Sequence, residues 1–194
     1  MATETLPAVL AVPRVWYNPD LKSVDYMVPG VVGMILLVIT LNLASLAVVR
    51  ERETGTLEQL MVTPLQSGEL IVGKMIPLGL IAYAESGLIV LLAILWFHVP
   101  FRGSFLLLFG VAPLFLVGNL ALGLVISVIS RTQQEAQVLA FLVTMPSVLL
   151  SGFMFPIQNM PVPIQYLTHL IPFRYFLEVV RALFLKGVGL EVLW

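Results

Sequence analysis

From Met27 to Val49 the chain runs for about 23 residues without a charged side chain, enough helix to cross a hydrocarbon core of roughly 30 Å. That run limits the fold more than any other feature. Lipid offers the backbone no hydrogen-bond partner, so a lone segment crossing it must satisfy its own N–H and C=O groups as a helix. Three further stretches repeat the pattern. Residues 70–97 carry only Lys74 and Glu85, and residues 104–129 and 136–155 carry no charge. The expectation is an all-α integral membrane protein with about four transmembrane helices, spanning 27–49, 70–97, 104–129 and 136–155.

Composition agrees. The chain is 59% hydrophobic and 11% charged, whereas an average soluble domain carries roughly a quarter charged residues. Ten basic and eleven acidic residues leave a net charge of −1, which gives no field to attract nucleic acid. The absence of cysteine removes disulfides, thiolate metal sites and a Cys nucleophile together. His98 and His169 lie far apart with no other His or Cys near them, so no metal site is expected.

Gly68-Glu69-Leu70-Ile71-Val72-Gly73-Lys74 has the spacing of a phosphate-binding loop as far as its lysine. Met75 then stands where the metal-binding Ser or Thr belongs, and no strand precedes the first glycine. No cofactor is expected to be bound by this chain itself.

Glu85 tests the membrane reading. An acid at the centre of a span costs roughly 2.5–3.5 kcal/mol, against up to about 0.3–0.6 returned by each surrounding Leu, Ile, Val or Phe, so insertion holds. Intramembrane acids face a bundle interior or a cavity. Glu85 is therefore a candidate pore or packing residue. The favoured role is packing through hydrogen bonds to Tyr83, Ser86, Thr40, Asn42 or Asn119, and the other is contact with a proton or substrate. Gly123 and Ser127 are spaced for close helix packing.

Between the first two spans lies Arg50-Glu51-Arg52-Glu53-Thr54-Gly55-Thr56-Leu57-Glu58-Gln59-Leu60-Met61-Val62-Thr63-Pro64. Thr56 and Gln59 have capping-box spacing, and Pro64 ends the helix they begin. Leu57, Leu60 and Met61 share one face, away from Glu58 and Gln59. Two turns are unstable alone, so this helix needs a surface, either lipid headgroups or a protein partner. At the chain ends, Val12–Tyr17 reads as a short strand followed by a loop to Tyr26. Pro156, Pro161 and Pro163 read as a loop. Residues 172–186 read as an interfacial helix, with Arg174, Glu178 and Arg181 forming a polar stripe. Counting basic residues on the two sides gives no orientation.

These blocks resemble the membrane subunits of ATP-binding cassette exporters of the ABC-2 permease type, which include multidrug and antibiotic-resistance exporters. The blocks run in order: Asn18-Pro19 with Val28-Pro29-Gly30; Arg50 to Leu60 with Thr63-Pro64-Leu65; Gly73-Lys74; Arg131 to Ala136; and Ser151-Gly152-Phe153 through Pro156, Pro161, Pro172 and Arg181. The second block is the specific one.

The resemblance implies a permease subunit of an ATP-driven exporter in a bacterial inner membrane. The helix from Thr56 would be its coupling helix, docked in a separate ATPase subunit that holds ATP and Mg. Leu57, Leu60 and Met61 would be buried there, with Glu51, Glu53, Glu58 and Gln59 as a polar rim and Arg131 to Gln137 as a second contact. A second permease copy or paralogue would complete the path, residues 1–26 would lie outside, and both polar loops inside. Six spans are usual in such permeases, so the chain is expected to be a truncated or reduced form. The alternatives are a membrane protein that only packs with partners, or a proton-driven transporter using Glu85.

Overall fold

The structure is a computed structural model describing residues 23–62 and 66–187, without the side chains of residues 23–26, 59–61, 67 and 186. The strand expected at 12–17 lies outside these residues.

Helix α1 covers Ser23–Ser45. It begins four residues before the expected span, so 23–26 are helical rather than loop, and Pro29 sits inside the helix instead of at its entry. Neighbouring helices make such an interior proline tolerable in a membrane protein. After a turn, α2 (Val49–Glu53) continues the chain, and α3 (Thr56–Met61) follows a break at Gly55. Gly55 has φ +78°, a conformation that ends a helix and that a side chain resists.

Two long helices come next, α4 (Ser67–Leu95) and α5 (Phe105–Ile129). Among the described residues three helical stretches are long and apolar enough to cross a membrane: Met27–Glu53, Gly68–Leu95 and Phe105–Ile129. A helix, α6 (Gln133–Leu150), overlaps the fourth expected span, 136–155, but is not one of these three. Its 18 residues give about 27 Å, but its first turn is Gln133-Gln134-Glu135, so its apolar part is shorter than in the other three.

The proline-rich stretch is not simply a loop. It forms a 3-10 turn at Ile157–Asn159 and helix α7 at Val162–Thr168, with Pro161 as N-cap and Pro163 in the first turn. The missing N–H of proline costs nothing at a helix start. Helix α8 (Pro172–Arg181) runs into a π-helical turn, Ala182–Lys186.

The face of α8 opposite its polar stripe is turned into the protein. Phe173, Phe176, Leu177 and Val180 are all buried. The Phe176 ring stacks on Phe115 of α5 with centroids 4.0 Å apart, and both belong to a core shared with Val32 and Leu36 of α1. Arg174 and Glu178 do form the expected pair, 3.2 Å apart. Arg181 leaves the stripe and donates to the carbonyls of Gly152 and Phe153, at 3.1 and 3.3 Å.

At the centre, α1 crosses α5 on Gly123. A Cβ there would lie 2.4 Å from the Ala44 Cβ and 2.9 Å from the Leu41 carbonyl oxygen, so only glycine admits this approach. The small-residue pair Gly123 and Ser127 thus does what its spacing suggested. A smaller apolar cluster, Leu41, Val49, Ile126, Ala136 and Ala140, carries the packing on to the end where α2 and α6 meet.

Candidate coupling site

Where α1 gives way to α2, the N–H groups of Val48 and Val49 have no helical partners of their own in the preceding turn. The buried Ser127 hydroxyl of α5 accepts from both, at 2.8 and 3.0 Å. This seats the bend and fixes the direction of the four charged residues that follow.

Each of those four is engaged by another element. Arg50 reaches the Gln133 side-chain oxygen at 3.5 Å. Glu51 forms an ion pair with Lys74 of α4, and Lys74 also donates to the Ala47 carbonyl at 3.4 Å. Arg52 donates to the carbonyls of Val128 and Ser130 at 3.0 and 2.6 Å, the closing carbonyls of α5. Glu53 accepts from the backbone N–H of Gln133 at 3.2 Å and from its side-chain amide at 2.8 Å, at the opening of α6. Gly68 to Lys74, the segment with loop-like spacing, is helical from end to end.

The start of α6 is capped a second time. Thr132 accepts from the Glu135 N–H at 3.2 Å, and the Glu135 carboxylate accepts from the Arg131 N–H at 2.7 Å. The Thr-x-x-Glu spacing is an N-terminus signature readable in the sequence, and it was not singled out there. Thr56 lies at the start of α3, and its hydroxyl donates to the Glu51 carbonyl at 3.3 Å, while the Gln59 side chain of the capping box expected there lies outside the described residues.

Of the expected partner-facing residues, Glu58 and Arg131 are exposed and Leu57 is half-buried. Gln59, Leu60 and Met61 lie on α3, with side chains outside the described residues. Glu51 and Glu53, expected as a rim for a partner, bond within the chain to Lys74 and Gln133, Glu51 half-buried and Glu53 exposed.

The pore or packing candidates do not come together. Glu85 is half-buried on α4 and makes no hydrogen bond or ion pair among the described residues. Its expected partners bond elsewhere or not at all: Asn42 donates to Val38, Tyr83 to the Phe109 carbonyl and Ser86 to Tyr83. The Thr40 hydroxyl and the Asn119 amide nitrogen are buried without a partner.

The sequence pattern of the ABC-2 type transporter family matches residues 6–185. The chain belongs to this family.

Over 175 residues it is 42% identical to "Probable multidrug ABC transporter permease YbhS" of Escherichia coli K12, covering 90% of this chain and 46% of that one. Against "Probable multidrug ABC transporter permease YbhR" of the same strain the identity is 36% over 181 residues, 93% and 49% of the two chains. "ABC transporter G family member 20" of Dictyostelium discoideum is 29% identical over 185 residues, 95% of this chain and 25% of that one. This ABC-2 type chain therefore spans about half the length of its bacterial relatives. No solved structure matches it.

Proposed function

We propose that this chain is membrane-spanning material of an ATP-driven exporter in a bacterial inner membrane. Helix α3 is its docking element for a separate ATPase subunit. The observation that carries the reading is α3 itself: six residues set off from α2 by Gly55, with Glu58 exposed. A helix of that length has no stability of its own, and a partner surface supplies it.

On this reading α3 and the turn before α6 face the cytoplasm, and ATP with Mg is held by the partner. A second permease copy or paralogue faces this one across the transport path. The exposed apolar faces of α4 and α5, among them Leu80, Leu88, Leu106 and Leu114, meet lipid or that second copy.

Coexpression with a candidate ABC ATPase subunit, sought in the DNA beside this reading frame, tests the reading. The ATPase is expected to copurify with the wild-type chain and to be lost when Leu57, Leu60 and Met61 are all changed to Asp. An ATPase absent from the wild type, or retained equally by the triple variant, overturns it.

A further inference from the structure

Thr40, Asn119 and Thr144 are 0%, 2% and 9% exposed, and among the described residues the two hydroxyls and the Asn119 amide nitrogen have no hydrogen-bond partner. The other buried polar side chains do bond. Ser45, Ser86, Ser130, Ser151 and Thr168 each donate to a carbonyl, and Ser127 accepts from Val48 and Val49. The three exceptions share one depth. The start of α2, the end of α5 and the start of α6 are tied together by Arg52 and Glu53. At about 1.5 Å per helical residue, Thr40 lies about 14 Å from the start of α2, Asn119 about 15 Å from the end of α5 and Thr144 about 17 Å from the start of α6. That is the middle of a hydrocarbon core of roughly 30 Å. The apolar core divides at the same level: between Leu37 and Leu41 on α1, Phe115 and Ile126 on α5, and Val148 and Ala140 on α6. The first of each pair belongs to the larger cluster and the second to the smaller.

We propose that Thr40, Asn119 and Thr144 hold buried water at mid-membrane, sealed on both sides by the two apolar clusters. Hydrocarbon offers these groups no bond, and a buried polar group without one is costly. Packing alone would be served better by Val at 40 and 144 and Leu at 119, which fill similar volumes with no polar atom to desolvate. A buried water makes about two to four bonds to polar groups that are otherwise unsatisfied, and it can both donate and accept. Two hydroxyls and a carboxamide match that demand, and they bring no charge to hold an ion.

The test uses the full chain, labelled with heavy nitrogen in asparagine alone and reconstituted in liposomes of deuterated lipid. Solid-state NMR reads the transfer of magnetisation from water protons to the side-chain amides, and the signal lost in Asn119→Leu identifies that of Asn119. The Asn119 amide is expected to receive water magnetisation although it is buried. Thr40→Val with Thr144→Val is expected to remove most of that transfer, whereas Thr40→Ser with Thr144→Ser keeps both hydroxyls and retains it. An Asn119 amide that receives no transfer in the wild type overturns the proposal, and this reading stands even where the valine variant fails to fold. Transfer that the double valine change leaves intact overturns it as well, since the water would then be held by other groups.

Discussion

At the α1–α5 crossing, Gly123 lets two backbones approach so closely that a single methyl group would collide with Ala44. Toward the α2–α6 end the same bundle is joined by Arg52, Glu53 and Gln133, which are exposed or half-buried and bonded through charge. The first contact is steric and dry. The second is directional and open to water. Charge-assisted bonds in water contribute little each, and they form and break without repacking a core. The bundle therefore combines a crossing that keeps two helices in close register with a junction that can open without deforming that crossing.

The contrast can be broken most severely at Gly123. Gly123→Leu forces the helices apart and is expected to cost about 3 kcal/mol or more. It would appear as a large drop in the thermal unfolding midpoint of the purified chain in detergent. An unchanged midpoint would mean that the close crossing is not where the structure puts it. Ser127→Ala comes next, since it leaves the Val48 and Val49 N–H groups without their acceptor. The expected loss is about 1–3 kcal/mol per buried group, with faster amide hydrogen exchange at those two residues. Protection equal to wild type would show that Ser127 does not seat the bend.

Thr132→Ala is smaller. It removes one cap from α6 and is expected to cost about 1 kcal/mol in the same unfolding assay, with Thr132→Ser recovering most of it. The smallest effect is that of salt. Raising ionic strength to about 1 M shortens the screening length to about 3 Å. That is expected to broaden slightly the distance between spin labels placed by Glu58→Cys and Gln134→Cys, and to leave unmoved the distance between labels placed by Leu43→Cys and Leu122→Cys. Equal broadening of both pairs would dissolve the distinction between the two regions.

Much of the fold was legible in the sequence because lipid imposes a simple test. Long apolar runs, uncharged at α1 and α5 and carrying only Lys74 and Glu85 at α4, located these helices, and the small pair Gly123 and Ser127 pointed to the crossing. Errors gathered where hydropathy is ambiguous. The amphipathic α8 fits a lipid surface and a protein core equally well, and it was Phe115 and α1 that received Phe173 and Phe176. Likewise Pro161 and Pro163 read as loop, although proline suits the first turn of a helix such as α7.

At the candidate site the residues were found but not their partners. Arg50 to Glu53 stood out as a charged tetrad, and Glu51 and Glu53 were expected to face another subunit. Their contacts reach across 23 residues to Lys74 and 80 to Gln133. No local pattern encodes such distances. Glu85 lacks the expected pairing among the described residues: Asn42 and Ser86 bond within their own helices, Tyr83 reaches Phe109 of α5, and Thr40 and Asn119 stay unpartnered there.

By itself the sequence determined that this chain lies in a membrane, and its motifs carried the family resemblance, because transfer from water to lipid is set residue by residue and summed along a run. Which apolar faces turn inward, and which charges are spent inside the protein, only the tertiary structure decided. Packing and ion pairing depend on what lies a few ångströms away in space, and here that neighbour is usually far along the chain.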